Sequence, residues 1–246
     1  MKPSTKILLM QKRLLTPIFL RSRLALWLDT VDSRTITLNG STASEWRDKS
    51  ANRYIFSQPT TANQPTYTTS GIAFNGNNWF NPVSISLTNF SVMMVETATQ
   101  NTASIYYPIS LDSTGSGLSV GGTFFSQRFS IVQRGNSPSN LLTTEQSTLN
   151  TPFIVFSGSN SMGRQISVNG NNPVVDNVVQ SVNSITIGRR SDGDWPFVGR
   201  ISEIVATNNL LSTFEMQQLT GYFAHKWKLT ANLANNHPFK FRPPYM

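Results

Sequence analysis

Short runs of β-branched and aromatic residues recur along most of the chain, and Gly, Asn, Pro or Ser bounds most of them. Such runs are typical of β-strands, and the residues between them favour turns. They follow one another at intervals of about ten to fifteen residues, with no long helical pattern between them. This spacing favours an antiparallel β-sandwich over a parallel α/β sheet. The runs are LALWLDT (24–30), TITLNG (35–40), IAFNG (72–76), FSVMMVETA (90–98), ASIYYPISL (103–111), FSIVQ (129–133), PFIVFSG (152–158), RQISVNG (164–170), SITIGRR (184–190) and GRISEIVAT (199–207).

One of these runs ends in Asn169-Gly170. Asn and Gly both tolerate the positive φ that a type I′ turn requires, and this pair is the strongest short signal for a hairpin. We therefore expect a β-hairpin at this point.

The stretch LLSTFEMQQLTGYFAHKWKL (210–229) differs from the rest because it has helical periodicity. Ser212 and Glu215 have the spacing of a capping box, which predicts a helix over 212–228 that begins near Thr213. Its apolar residues recur every three to four positions and form one stripe, and an all-β domain would most naturally cover that stripe with the sandwich. The stripe consists of Met216, Leu219, Phe223 and Trp227, with Tyr222 beside it.

The chain has 246 residues and no cysteine, so we expect neither a disulfide framework nor a Cys-ligated zinc site. No apolar run approaches the roughly 20 residues of a membrane-spanning helix. Lys12 and Arg13 interrupt the apolar residues near the N-terminus, so we expect no signal peptide. The expected organisation is a basic arm (1–23), a sandwich that includes the helix (24–230) and an extended tail (231–246).

The net charge of +8 is concentrated at the two ends of the chain. Six basic residues and no acid precede Asp29, and four basic residues and no acid follow Glu215. The part between them carries twelve acids and ten bases, which does not predict the basic groove of a nucleic-acid-binding body. We expect the ends to be arms that dock on an acidic protein surface. The expected docking residues are Lys2, Lys6, Lys12, Arg13, Arg21, Arg23, Lys240 and Arg242.

Two blocks of sequence carry a family resemblance. The first comprises LALWLDT, SEWRDKSANRYIFSQPTTANQPTY and GIAFNGNNWF; the second comprises ITIGRR, GRISEIVATNNLLSTFEMQQLTGYFAHKWKL and NNHPF. Together they resemble the concanavalin A-like, laminin G-like jelly-roll domains found in phage and other viral virion proteins and in bacterial surface proteins. The blocks bracket residues 24–239, while residues 100–180 match only in strand pattern. The resemblance implies an all-β jelly-roll sandwich with a C-terminal amphipathic helix, and it places Trp27 and Trp46 in the core.

The chain departs from the family pattern at two points. Ala51 stands where the family has a turn glycine, and Tyr222-Phe223 stands where it has Tyr-Leu. The first departure questions whether the turn at Ala51 has a positive φ.

Catalytic and metal sites have little support in the sequence. Polysaccharide-cleaving members of this superfamily carry Glu-x-Asp-x-x-Glu on a strand, and this chain has no such motif. A hydrolase built on Asp192, Asp194 and Glu203 is therefore the least favoured function, and we expect no enzyme and no cofactor. Calcium bound by Asp192 and Asp194 is the alternative, although two acids fall short of the six to eight oxygen ligands that calcium takes. His225 and His237 have no third ligand in view.

Exposed aromatic side chains beside polar residues would suit the stacking of a sugar ring. The sequences NGNNWF and DGDWPF offer this combination, with buried aromatic residues as the alternative interpretation. The glycan-binding candidates are Asn77, Asn78, Trp79, Tyr106, Tyr107 and Trp195.

The predicted function is a non-enzymatic virion structural protein, such as a capsid decoration, fibre, tail or baseplate component. It would reside in the virion after assembly in the host cytoplasm, with other virion proteins or copies of itself as partners and with no membrane or nucleic-acid contact. The alternative is a carbohydrate-binding module for host-surface or matrix glycans.

Overall fold

The computed structural model describes residues 13–100, 105–121, 127–133 and 140–245. Within these ranges the chain forms two antiparallel β-sheets and one α-helix. The strands are β1 (Leu24–Asp29), β2 (Ile36–Asn39), β3 (Thr42–Arg47), β4 (Ile55–Ser57), β5 (Thr66–Thr68), β6 (Gly71–Asn75), β7 (Phe80–Leu87), β8 (Phe90–Ala98), β9 (Ile105–Ser110), β10 (Gly117–Gly121), β11 (Arg128–Val132), β12 (Asn140–Gln146), β13 (Phe153–Asn160), β14 (Gly163–Val168), β15 (Val174–Asp176), β16 (Val182–Ile187) and β17 (Val198–Thr207). The helix is α1 (Thr213–Lys226).

The larger sheet has the strand order β15-β14-β13-β8-β17-β6-β5-β3-β2, and β1 and β4 pair with β17 and β3. The smaller sheet has the order β12-β11-β10-β9-β16-β7. Apolar residues from both sheets meet in one core, which holds Trp46 from β3, Phe80 from β7 and Phe129 from β11. The prediction of an all-β sandwich is therefore confirmed.

Helix α1 lies on the outer face of the larger sheet, where it covers Met93, Val95 and Val205. Ser212 accepts a hydrogen bond from the backbone N–H of Glu215, and the Glu215 carboxylate accepts one from the backbone N–H of Ser212. This reciprocal pair is the predicted capping box, and the helix begins at Thr213 as expected. Within the described residues no helix has both the length and the apolar character needed to cross a membrane.

The Asn169-Gly170 turn has the predicted backbone conformation, with φ values of 51° and 75°. The flanking strands β14 and β15 pair as a hairpin, in which Ile166 lies opposite Val174. The hairpin is therefore present, with a loop longer than two residues.

The described parts of both terminal segments lie on the body of the chain. Residues Pro17–Arg23 form a 3₁₀ segment that buries Leu20 against the outer face of the larger sheet. The tail after α1 turns back over the helix, where the side chain of Phe239 packs on Gly221. The backbone N–H of Leu15 then donates to the carbonyl of Pro244, which joins the two ends.

Candidate functional site

The start of β7 and the end of β16 lie side by side, because Phe80 pairs with Ile187 in the smaller sheet. Trp79 immediately precedes Phe80, and Arg189 follows Ile187 by two positions. The guanidinium carbon of Arg189 lies 3.6 Å from the centroid of the Trp79 ring, which is a stacked cation–π contact. Strand register therefore brings together two residues that are far apart in the sequence.

Trp79 lies at the end of a polar turn. Its indole N–H donates to the side-chain oxygen of Asn81 at 3.1 Å, and the indole is partly exposed. Asn77 in the same turn is exposed, whereas Asn78 is buried. The Asn78 side chain donates to the carbonyl of Gln64, so it shapes the turn and is not available to a ligand.

The loop after Arg189 borders the same region. Arg189 lies beside Gly193, since its Nη1 atom would be 3.8 Å from a Cβ at that glycine. The next residue, Arg190, donates to Asp192 at 2.7 Å and to Asp194 at 3.0 Å. The two calcium candidates thus hold a guanidinium group, and within the described residues no group of three metal-ligating side chains occurs.

Trp195 closes this loop with a positive φ of 53°. Its carbonyl accepts a hydrogen bond from the backbone N–H of Tyr107, which fastens the loop to β9. The guanidinium of Arg190 lies 5.6 Å from the Trp195 ring and 5.8 Å from the Tyr107 ring. Arg189 thus stacks on Trp79, and the next residue, Arg190, lies near Trp195. We call Asn77, Trp79, Arg189 and Trp195 the rim site.

The two tyrosines of β9 are both buried. Neighbouring residues on a strand point to opposite faces, so Tyr106 lies in the core between the sheets and Tyr107 lies on the outer face beneath Trp195. Of the six glycan-binding candidates, the structure therefore places three at the surface, namely Asn77, Trp79 and Trp195.

Glu203 is completely buried under α1. Its carboxylate accepts hydrogen bonds from the indole N–H groups of Trp27 and Trp227, each at 2.7 Å, and from the Tyr222 hydroxyl at 2.8 Å. Lys226 adds an ion pair at 2.8 Å. Burial raises the pKa of Glu203, while the charge of Lys226 opposes that rise. This carboxylate joins the helix to the larger sheet and is inaccessible to a polysaccharide.

The turn that follows Trp46 is organised by the buried carboxylate of Asp48. It accepts hydrogen bonds from the backbone N–H groups of Trp27 and Ser50, at 2.8 and 2.7 Å. Arg53 has a positive φ of 57° in this turn, and Ala51 does not have a positive φ. The turn thus keeps a left-handed residue two positions later than the resemblance implied.

Some of the expected docking residues are bonded within the chain, and others are exposed. Arg23 forms an ion pair with Glu215 of α1, and Lys240 donates to the carbonyl of Leu233. Arg13, Arg21 and Arg242 are exposed. Lys2, Lys6 and Lys12 lie outside the described residues.

A cleft of about 830 Å³ lies elsewhere, beside β3 and β4, where Ile18, Ile55 and Trp27 provide apolar walls. Three of its four cations already pair with carboxylates of the same chain. These pairs are Arg34 with Asp32, Arg47 with Glu45, and Lys49 with Asp29 and Asp32. Most of its positive charge is therefore neutralised within the protein.

Neither the models of protein families nor the curated proteins gave a match to this chain. Solved structures do match in fold. The sialidase of Trypanosoma rangeli in complex with sialic acid has a TM-score of 0.58 and 15% identity, over 82% of this chain and 33% of the sialidase. A mutant HCR/D chain has a TM-score of 0.54 and 14% identity, over 81% of this chain and 51% of its own. The chain thus spans about a third of the sialidase's length, and the likeness shows the fold alone.

Arg189 and Arg190 were missed as site residues in the sequence analysis. The signal was present, because two consecutive arginines directly follow a strand and precede a Gly-containing loop. The sequence could not show that Arg189 stacks on Trp79 while Arg190 binds Asp192 and Asp194, because these contacts depend on the register of the strands.

Proposed function

We propose that this protein is a non-enzymatic carbohydrate-binding module whose ligand contacts the rim site. The observation that carries the proposal is the pair of partly exposed indoles, Trp79 and Trp195, positioned beside consecutive arginines and an exposed Asn77 amide. Aromatic rings provide flat apolar surface for a sugar ring, and nearby polar groups fix its orientation.

The indole orientations are set by the fold, which favours binding. The Trp79 N–H is already bonded to Asn81, and the Trp195 backbone is bonded to β9. A ligand would therefore meet side chains that are largely held in place, which reduces the ordering cost of association.

The carboxylates near the rim site support a binding role over a catalytic one. Most glycoside hydrolases use two carboxyl groups that flank the scissile bond. Asp192 and Asp194 are both bonded to Arg190, and Glu203 is buried beneath the helix.

The fold comparison adds support of a general kind. The matching sialidase structure is described as a complex with sialic acid, although this chain corresponds to about a third of that protein. A sandwich domain associated with a carbohydrate-processing protein is a suitable scaffold for glycan recognition, and the function itself must be argued from the site.

The virion structural role, its partners and its location remain predictions of the family resemblance. The docking of the basic ends on another protein likewise remains a prediction. The described parts of those ends contact the body of the same chain.

The test is binding to a glycan array, followed by titration of the strongest ligand with Trp79→Ala and Trp195→Ala. Each change should weaken binding by about fivefold, because an aromatic contact is worth about 1 kcal/mol. Phe241→Ala is the matched control, since Phe241 is 80% exposed and lies on the tail. Unchanged affinity in both tryptophan variants would reject the rim site as the binding surface.

A further inference from the structure

Arg189 is the cation of the rim site that lacks a carboxylate partner. Within the described residues it forms no ion pair, and its Nε–H is buried without an acceptor. Arg190 provides an internal comparison, because its guanidinium binds both Asp192 and Asp194. Two adjacent arginines in the same loop thus differ in whether their charge is neutralised by the protein.

A partly buried arginine without a carboxylate partner lowers the stability of the folded protein. A guanidinium has five N–H donors, and a buried donor without an acceptor loses its hydration without compensation. Burial lowers the pKa of Arg189, although the group stays charged at neutral pH. Stacking on Trp79 orients the guanidinium plane but accepts none of its hydrogen bonds.

Asp192 is the carboxylate whose charge acts on Arg189. Its Oδ1 atom, however, accepts the Nε–H of Arg190 at 2.7 Å, so Asp192 is a hydrogen-bond partner of the neighbouring arginine. Asn81, the other polar side chain next to Trp79, accepts the indole N–H. The donors left for a ligand at the rim site include those of Arg189 and the amide of exposed Asn77.

We propose that Arg189 binds an anionic group, so that the ligands of the rim site are acidic glycans that carry a carboxylate or a sulfate. The inference rests on the proposed function and names the substrate class of that same site. A planar guanidinium offers parallel N–H donors to the two oxygens of such a group, and Trp79 supplies the adjoining apolar surface for the sugar ring.

A protein body with positive charge over its whole surface would also bind anions, without any need for Arg189. The part of the sequence from Asp29 to Glu215 is slightly acidic overall. The attraction must therefore be local to Arg189, and it should fall when this one charge is removed.

The experiment uses three matched probes: N-acetyllactosamine, its sialylated form and its sulfated form. The full chain should bind at least one charged form about tenfold more tightly than the neutral one, since charge-assisted hydrogen bonds are the stronger kind. Arg189→Met keeps an apolar chain over Trp79 without the charge, so it should abolish this preference, measured as the ratio of the affinities for the charged and the neutral probes. The sialylated and sulfated arms distinguish a carboxylate from a sulfate ligand.

Arg242→Met is the control, because Arg242 is an exposed cation on the tail and its loss should leave the preference intact. Thermal unfolding of each variant reports whether the fold is preserved, and Arg189→Lys provides a second variant that keeps the charge. Equal affinity for the three probes, lost in Trp79→Ala, would overturn the role of Arg189 while preserving the proposed function. Absence of binding to every glycan on the array would reject both proposals.

Discussion

Glu96 is a buried carboxyl group that has no hydrogen-bond partner among the residues that the structure describes. It lies on β8 on the face that meets the core between the sheets, together with Met94 and Ala98. Its cross-strand neighbours are Phe153 and Ile201, which cannot solvate a charge. Both carboxyl oxygens are buried and unpartnered, and burial raises the pKa of Glu96 to about 8.

This pKa shift makes stability depend on pH in a defined direction. In the unfolded chain Glu96 loses its proton near its ordinary pKa of 4.5, whereas the folded protein retains the proton up to about pH 8. Between these values the folded state binds more protons, so the free energy of unfolding falls as pH rises. The shift corresponds to a total loss of about 5 kcal/mol, of which about 3 kcal/mol has occurred by pH 7.

Glu96→Gln removes the titrating group while retaining its shape. We expect urea denaturation at pH 5, 6, 7 and 8 to show a smaller loss of stability with rising pH in this variant than in the wild type. The difference between the two slopes should approach 1.4 kcal/mol per pH unit, that is, one proton. Glu45→Gln is the control, because hydrogen bonds from Thr37 and Arg47 lower the pKa of Glu45 and its titration lies below this window.

The comparison of slopes also separates Glu96 from other buried groups. Burial raises the pKa of Glu203 as well, but that contribution is present in both proteins and cancels in the difference. Parallel loss of stability in the wild type and Glu96→Gln from pH 5 to 8 would refute the argument that Glu96 is protonated in the folded core.

Two further predictions concern the contacts of α1. Glu203→Gln removes the charge that Lys226, the Tyr222 hydroxyl and two indole N–H groups share. Because Lys226 keeps its ion pair with Asp29, the change should lower the free energy of unfolding in urea by about 1 to 3 kcal/mol; no measurable loss would show that the buried charge is dispensable. Ser212→Ala removes the acceptor for the backbone N–H of Glu215 and should cost about 1 kcal/mol in thermal unfolding, whereas Ser181→Ala, at an exposed position outside the helix, should cost little.

The sequence predicts well those features that depend on local periodicity. Runs of β-branched and aromatic residues identify strands, the 212–215 capping box identifies the helix start, and Asn169-Gly170 identifies a turn with positive φ. Each of these depends on residues close in the chain, whose conformational preferences act directly.

Strand phase could have been used further than it was. In FSVMMVETA the inward positions alternate, and they include Val92, Met94 and Glu96, so the buried carboxyl lies in phase with the core. The same alternation implies that Tyr106 and Tyr107 cannot share a face. What alternation cannot supply is the pairing of Trp79 with Arg189, because that contact arises from the register between β7 and β16, two strands that are far apart in the sequence.

The position of the rim site follows from what the helix covers. Helix α1, the 17–23 segment and the tail cover the outer face of the larger sheet. On that face the Glu203 carboxylate bonds the helix through the Tyr222 hydroxyl. The two buried glutamates differ in their partners. Glu203 accepts three hydrogen bonds and forms an ion pair, whereas Glu96 has no partner among the described residues. The rim site lies at the loops of the smaller sheet, where the pairing of Phe80 with Ile187 aligns Trp79 and Arg189. A slip of one residue in that pairing would turn one of the two side chains to the opposite face, so the geometry of the proposed site depends on the register of β7 and β16.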